Sequence, residues 1–349
     1  MMANITYDDT MLVGCQDGQR YSEYKARIGQ MHSLQTTDRF VILAENSYLF
    51  DPCSLVNYDE SLSSFKNQFS FEKEDTIKDR IYIINKCGGE GEEAVEARIK
   101  VPPFFITHVL GSYEDPETNK LHFDVLQYDD ARPYEHWTDT DVIASGEIRD
   151  QTTNVTRYSI NMEDWTVEFR NLITDPTIKQ DFEFSTINPA YYGRPYKYGY
   201  MSQNVFTLNG AVIKLNVDTG EVIRKELPDG LFPTEPIFVA DPEGTEENDG
   251  VILMSGVDGG NERGFIIVYD ASNMEELYRG TAPKKTLLGL HSKFYSFHVG
   301  CSKDDCTPPS PSDSTESTNN GVGKFDAPQN WIFSVILVIQ FMAANKMIH

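Results

Sequence analysis

Short apolar segments separated by polar turns recur through most of this chain, about every ten to fifteen residues. Many of them alternate apolar with polar residues or are rich in β-branched and aromatic side chains, which is typical of strands. Helical periodicity is almost absent. We therefore predict an all-β domain built of hairpins. The predicted strands cover residues 40–44, 80–85, 98–101, 104–110, 121–128, 158–160, 166–169, 205–208, 212–217, 237–240, 251–255 and 265–269.

A single histidine lies inside one of the most apolar segments, VPPFFITHVLGSYED, at residues 101–115. Two prolines bound this predicted strand upstream, and Gly111 with the acidic residues after it ends the strand downstream. On this local pattern alone, we interpret His108 as a core histidine whose ring is hydrogen-bonded to a backbone carbonyl, because imidazole side chains are often partly buried. Whether it has a further role depends on other stretches of the chain.

The turns between the predicted strands are polar and often acidic. His32 precedes a tight polar turn and the apolar strand at residues 40–44, and without further context it is a polar loop histidine. The run GGEGEEAVEA at residues 88–97 predicts a solvated acidic hairpin or loop. Asp249 and Gly250 form a dipeptide that is typical of tight hairpins.

Composition narrows the possible partners. The chain has 349 residues, of which 40% are hydrophobic and 12% aromatic, enough for one large domain or two smaller ones. Its 54 acidic and 30 basic residues give a formal net charge of -24. Because phosphate binding requires a concentrated basic surface, this charge argues against nucleic acid as a partner.

Five scattered cysteines and the first residues bear on the cellular compartment. No paired CxxC spacing for zinc is present in the sequence, so reduced thiols are expected. Cys301 and Cys306 are either two free thiols in a flexible segment or, in an oxidising compartment, a small disulfide. The first residues do not show a basic segment followed by an apolar core, so they predict no signal peptide. Together these features predict a cytoplasmic or peripheral membrane location.

The C-terminal end of the sequence changes character. Residues 301–330 are rich in Pro, Ser and Thr, which predicts a disordered linker. Residues 331–349 begin with an apolar run that is shorter than the roughly 20 residues a membrane-spanning helix needs. Three interpretations of this tail stay open: an interfacial or tail anchor, a glycolipid-anchor signal, and a fortuitous extension. The first two predict membrane association through the tail.

Five motifs follow one another between residues 28 and 294. They are the His-Ser pair at residues 32–33, PFFITHVLGSYED at 103–115, DFEFSTINPAYYGRPYKYGY at 181–200, PTEP at 233–236 and LGLHSKF at 288–294. Together they resemble the motifs of the carotenoid cleavage oxygenases, the family that includes the β-carotene oxygenases and the vertebrate retinoid isomerase. Ser292 is a departure, since the family usually has glycine at that place.

This resemblance implies a metal centre. His32, His108 and His291 take the places of ligands to a ferrous ion, Fe2+. Glu183 and Glu235 take the places of carboxylates that hydrogen-bond ligand histidines, and such an acceptor determines which ring nitrogen faces the metal. The tyrosines of the third motif are expected to pack and hydrogen-bond rather than to catalyse.

The resemblance also implies a seven-bladed β-propeller. Members of the family carry further blades and a first ligand histidine ahead of the segment that contains His32. Residues 1–300 are therefore expected to form a partial propeller that lacks the opening blades. On this interpretation the chain itself supplies three ligand histidines.

The implied activity is oxidative cleavage of a double bond in a carotenoid or apocarotenoid by dioxygen, with Fe2+ as the cofactor. Two alternatives stay open. One is a truncated, non-catalytic family member that binds a lipid or is inactive. The other is a retinoid ester isomerase, an enzyme of the same fold.

Overall fold

The computed structural model describes residues 28–50, 69–71, 78–89, 91–130, 152–205, 209–285, 289 and 291–294. The chain divides into two compact units, Met1–Leu288 and Gly289–His349. The described part of the first unit contains nineteen strands and two short 3-10 helices, Gly91–Ala94 and Pro189–Tyr191. The predicted all-β class is confirmed.

The strands follow in chain order: β1 (Ile28–Gly29), β2 (Leu34–Thr36), β3 (Phe40–Ala44), β4 (Tyr48–Phe50), β5 (Phe69–Phe71), β6 (Lys78–Asn85), β7 (Val95–Val101), β8 (Phe105–Asp115), β9 (Lys120–Tyr128), β10 (Thr153–Asn161), β11 (Val167–Asn171), β12 (Phe182–Thr186), β13 (Tyr198–Gln203), β14 (Ala211–Asn216), β15 (Val222–Glu226), β16 (Leu231–Ala240), β17 (Gly250–Asp258), β18 (Arg263–Asp270) and β19 (Glu276–Lys285).

Antiparallel pairing joins these strands into four four-stranded sheets and one three-stranded sheet within the described residues. The four-stranded sheets have the orders β2-β3-β6-β7, β8-β9-β10-β11, β12-β13-β14-β15 and β16-β17-β18-β19, and the smaller sheet is β1-β4-β5. A four-stranded antiparallel sheet is the unit from which β-propeller blades are built. The first strands of successive sheets pack together, β2 with β8, β8 with β12 and β12 with β16.

An apolar cluster joins the sheet that begins with β2 to the sheet that begins with β8. Ile81 and Ile83 in β6 and Leu121 in β9 are fully buried and belong to this cluster. Phe104, which immediately precedes β8, is buried in it as well. Burial of each such side chain contributes about 1.5–3 kcal/mol. The cluster therefore holds the second sheet, and the strand that carries His108, against the first.

Gly111 does not end its strand, contrary to the prediction. β8 continues through it to Asp115, with an irregular register between Ile106 and Gly111. A Cβ atom at Gly111 would lie 2.5 Å from the ring of Tyr196. Glycine is therefore required here by the close approach of an aromatic ring to the strand backbone, not by a turn.

Two other turn predictions were wrong in part. The predicted acidic loop at residues 88–97 ends early, because the buried Ala94 and Ala97 draw its second half into the core and into β7. Asp249 and Gly250 do not form a two-residue hairpin. Instead, residues 241–249 connect β16 to β17, and the Asp249 carboxylate accepts the backbone N–H groups of two residues in that loop, each at 2.8 Å.

Several strands were not predicted. β12, β13, β15 and β19 carry polar residues or glycine at many positions, and their pairing partners rather than their own patterns determine them. In the predicted strand at residues 205–208, Val205 lies in a turn, and residues 206–208 lie outside the described part of the chain.

The predictions for the C-terminal end also lie outside the described residues. These are the linker at residues 301–330, the hydrophobic tail at 331–349 and the Cys301–Cys306 alternatives. Among the residues that the structure does describe, no helix combines the length and apolar character needed to span a membrane.

Candidate metal centre

The candidate residues of the first unit lie at the first strands of successive sheets. His32 precedes β2, His108 lies in β8, Glu183 in β12 and Glu235 in β16. Because these first strands pack against one another, residues far apart in sequence are brought to one region. The sheet topology thus explains why the motifs are spaced by several tens of residues.

Polar contacts hold the His32 segment in place. The backbone N–H of Gln30 donates to the carbonyl of Tyr48 at 2.8 Å. The Ser33 hydroxyl donates to the carbonyl of Thr107 at 2.7 Å, which ties the residue after His32 to the residue before His108. His32 itself has an exposed side chain.

The loop after β3 anchors the start of β8. The side-chain amide of Asn46 donates to the carbonyl of Ile106 and accepts its N–H, both at 2.7 Å. Ser47 forms a similar reciprocal pair with Phe104, at 2.9 and 3.0 Å. These side chains replace strand partners at this point, so the backbone that leads to His108 has a defined position.

The rings of His32 and His108 lie next to each other. Their centroids are 5.2 Å apart and the ring planes are perpendicular. One ring nitrogen of each lies within 4.8 Å of the other, a separation at which two imidazoles can share one metal ion. The two rings therefore lie close enough together to bind one metal ion.

Glu183 is buried beside the His108 ring. Its Oε2 is hydrogen-bonded to Nδ1 of His108, and its Oε1 accepts the hydroxyls of Thr107 and Tyr128. β12 has a bulge at this point, and Phe184 adopts a φ of 53°. This left-handed residue donates its N–H to Glu183 Oε2 at 3.1 Å. The bulge therefore helps to orient the carboxylate.

The surroundings favour an ionised carboxylate at Glu183. Burial by itself would raise the pKa of Glu183, but the charge of His108 and the hydrogen bonds from His108, Thr107 and Tyr128 together lower that pKa. Burial, reinforced by the charge of Glu183, raises the pKa of Tyr128, so that residue remains a hydroxyl donor. An anionic acceptor at Nδ1 favours the tautomer in which Nε2 carries the lone pair for a metal.

Glu235 lies in β16 between two prolines, where the register with β17 is irregular. It is partly buried. Its charge acts on Tyr192, whose pKa is raised mainly by burial and further by Glu235, while a hydrogen bond with Thr186 lowers it. The predicted role of Glu235 toward a histidine stays a prediction.

The remaining histidines have different settings. His291 belongs to the second unit, of which residues 289 and 291–294 are described, and it is exposed. His122 lies in β9, with Nδ1 2.9 Å from the Ser159 hydroxyl and its ring 4.9 Å from that of Tyr113. His136 and His298 lie outside the described residues.

The donor set suits a divalent transition metal. Imidazole nitrogens bind iron, copper, nickel and zinc, and a carboxylate behind a ligand histidine strengthens the ligand. The pair His32 and His108, with Glu183 behind the second ring, therefore fits the Fe2+ that the sequence predicts.

Sequence reasoning missed Thr107, Tyr128 and Ser33. A hydroxyl residue beside His108 in an apolar strand was a weak signal for Thr107. Tyr128 gave none, because it contacts Glu183 across 55 residues of sequence. The expectation that the tyrosines of the 181–200 motif serve structure agrees with Tyr196 and Tyr200, whose hydroxyls donate to Asp124 and to the carbonyl of Ala271.

Comparison with known protein families identifies relatives along most of the chain. The model of the family described as "Retinal pigment epithelial membrane protein" matches residues 6–296. Beta,beta-carotene 15,15'-dioxygenase of Gallus gallus is 25% identical over 288 residues, which cover 75% of this chain and 53% of that protein. Carotenoid cleavage dioxygenase 8 homolog B, chloroplastic, of Oryza sativa subsp. japonica is 27% identical over 277 residues, covering 75% and 46%. The chain thus spans about half the length of these curated relatives.

Solved structures support the fold. Cobalt-substituted Synechocystis ACO matches with a TM-score of 0.59 at 21% identity, over 74% of this chain and 51% of that chain. An ACO/RPE65 chimera matches with a TM-score of 0.58 at 22% identity, also over 74% and 51%. The propeller-type fold expected from the sequence is therefore confirmed, and its seven blades stay a prediction.

Proposed function

Because the chain belongs to the carotenoid cleavage oxygenase family, we propose that it cleaves a double bond of a carotenoid or apocarotenoid oxidatively with dioxygen, using Fe2+ as its cofactor. The names of the relatives support the substrate class, since those proteins are carotenoid dioxygenases. Fe2+ would supply the activation of dioxygen at this centre. The chain's own residues would hold the ion and select the ring nitrogens that face it.

One observation carries the proposal. Glu183 contacts Nδ1 of His108 from a fully buried position, and the centroid of the His32 ring lies 5.2 Å from that of the His108 ring. A buried carboxylate behind one of two adjacent imidazoles is a typical arrangement of a metal centre rather than of a packing core. A core histidine would need only a backbone acceptor.

The proposed ligands are His32, His108 and His291. His291 enters the proposal through its LGLH motif, and Glu235 through its PTEP motif, where it is proposed to orient a second ligand histidine. Association with a membrane through residues 331–349 is also a proposal. It would bring the protein to the apolar phase in which a carotenoid dissolves.

The test is product formation from β-carotene and from a series of shorter apocarotenoids, supplied in detergent with Fe2+ and oxygen. We expect His108→Ala to abolish both iron binding and product. The matched control is His122→Ala, which removes a histidine from the same sheet that contacts Ser159 and Tyr113.

Two results would count against the proposal. Equal iron content in the wild type and in His108→Ala would reject the metal centre. Iron binding without product from any polyene would retain the centre and reject the reaction.

A further inference from the structure

The two oxygens of Glu183 have separate sets of partners. Oε2 interacts with His108 Nδ1 and with the backbone N–H of Phe184. Oε1 accepts the hydroxyls of Thr107 and Tyr128. Each of these two hydroxyl residues is only 1% exposed, so water has little access to replace them. The carboxylate is therefore held by donors on both oxygens.

We propose that Thr107 and Tyr128 are positioning residues for the metal centre. Their hydroxyls prevent rotation of the Glu183 carboxylate and thereby maintain the ring plane and tautomer of His108. A terminal carboxylate torsion has only broad preferences of its own, so its orientation must come from its donors. This inference rests on the proposed function and extends it to residues that do not contact a metal.

Thr107 connects the segments of both histidines. Its hydroxyl acts on His108 through Glu183, and its carbonyl accepts the Ser33 hydroxyl at 2.7 Å. Thr107→Val would break only the first connection, because the backbone carbonyl is retained. Ser33→Ala would break only the second. The two variants therefore separate control of His108 orientation from control of the His32 position.

The experiment uses Co2+ as the probe, because its visible absorption reports the geometry and number of its ligands. The variants are Thr107→Val, Tyr128→Phe and the double variant, in the full chain. We expect each single variant to weaken Co2+ binding about tenfold and to change the absorption band, within the ten- to a hundredfold effect usual for residues behind a metal ligand. Thr107→Ser, which keeps the hydroxyl, should restore binding and spectrum.

A second measurement does not require the metal. Nitrogen-15 NMR of the histidine rings reports which nitrogen of His108 carries the proton. The wild type should show the Nδ1–H form, and Tyr128→Phe and Thr107→Val should show a mixture of tautomers. A role in packing alone would leave this signature unchanged.

Matched controls remove equivalent groups elsewhere. Tyr158→Phe removes a buried hydroxyl that donates to Gln127 at 2.7 Å, and Thr156→Val removes a buried threonine hydroxyl from β10. Both should bind Co2+ like the wild type. Should Thr107→Val not fold, Tyr128→Phe still removes a hydroxyl from Glu183 Oε1, with Tyr158→Phe as its control.

The outcomes distinguish the inference from the proposed function. The inference would be overturned if Thr107→Val and Tyr128→Phe kept the wild-type Co2+ affinity, absorption spectrum and His108 tautomer while Glu183→Gln bound Co2+ more weakly. The proposed metal centre would then remain. No Co2+ or Fe2+ binding by the wild type would overturn the metal centre, and the inference with it.

Discussion

Two carboxylates in neighbouring sheets are almost equally buried but pair with different kinds of side chain. Asp124 in β9 is 0% exposed and Glu183 in β12 is 1% exposed. Each accepts a tyrosine hydroxyl, Asp124 from Tyr196 and Glu183 from Tyr128. Burial and a hydrogen bond from a tyrosine are therefore not enough to identify a carboxylate as part of a metal centre.

The two carboxylates differ in the side chain that each one pairs with. Asp124 pairs with both Nε and Nη2 of Arg157, at 2.8 and 2.7 Å, and a guanidinium is always charged and offers no lone pair to a metal. Glu183 pairs with an imidazole, which keeps a second nitrogen for another bond. Asp124 therefore completes an ion pair, whereas Glu183 is proposed to orient a metal ligand.

The largest expected effect is on stability at the ion pair. Asp124→Asn leaves the buried Arg157 without its charge partner and should lower the free energy of unfolding by about 3–5 kcal/mol, measured by urea denaturation. Co2+ affinity of the folded protein should not change. The double variant Asp124→Asn/Arg157→Met contains neither charge and should recover part of the loss. A loss below about 1 kcal/mol, which is the range of exposed salt bridges, would contradict this prediction.

Glu183→Gln should weaken metal binding, which Asp124→Asn should leave unchanged. Loss of the carboxylate charge behind His108 should weaken Co2+ or Fe2+ binding by about ten- to a hundredfold. Its cost in unfolding free energy should be about 1–3 kcal/mol, because the buried hydroxyls lose part of their acceptor. Isothermal titration and denaturation of the same preparation measure both quantities. Unchanged metal affinity would contradict the distinction between the two carboxylates.

Gly111→Ala tests the contact between β8 and the tyrosine of the ion-pair cluster. The added methyl would meet the ring of Tyr196, so unfolding should become easier by about 1–3 kcal/mol. Gly260→Ala, whose Cβ would meet its nearest neighbour at 3.4 Å, should stay within about 0.5 kcal/mol of the wild type. Equal midpoints of thermal denaturation for the two variants would show that β8 can move away from Tyr196.

The smallest expected effect concerns His122, which lies near the ion pair. Burial, and next the charge of Arg157, lower the pKa of His122 below 6.5, against the opposing charge of Asp124. The pKa of His122 is lower in the folded state than in the unfolded state. The contribution of neutral His122 to stability is therefore complete above pH 6.5 and is lost as the pH falls through the folded-state pKa. NMR titration of the ring should give a midpoint below 6.5, and His122→Asn should flatten the pH dependence slightly. A midpoint above 6.5 would contradict this.

Much of the fold could be predicted from local pattern. The strand at Phe40–Ala44 was predicted with its observed bounds, and β9, β14 and β18 were located within a few residues, because their apolar side chains mark the buried face. The start of β8 was located in the same way, but its end was not. β12 could not be found in this way. It contains a bulge at Phe184, and its position depends on pairing with β13 and packing on β8.

The candidate site was predicted by motif, and its geometry was not. The sequence singled out His108 and Glu183, which the structure joins by a hydrogen bond, and His32, whose ring it places beside that of His108. The hydroxyls that hold Glu183 come from β8 and β9. Such contacts depend on how sheets pack, and no pattern within a single segment encodes them.

The residues of the candidate metal site come from the first strands of successive sheets or lie next to them, and this placement affects the free energy of unfolding. His32, His108 and Glu183 come from three consecutive sheets, so an ion bound by the two histidines, with Glu183 behind His108, would link these sheets. Cooperativity of unfolding would then depend on ligand concentration. At a hundredfold excess over its Kd, such an ion would add about 2.7 kcal/mol to the free energy of unfolding. Removal of the ion by a chelator should therefore weaken the association between neighbouring sheets, in addition to stopping the proposed reaction.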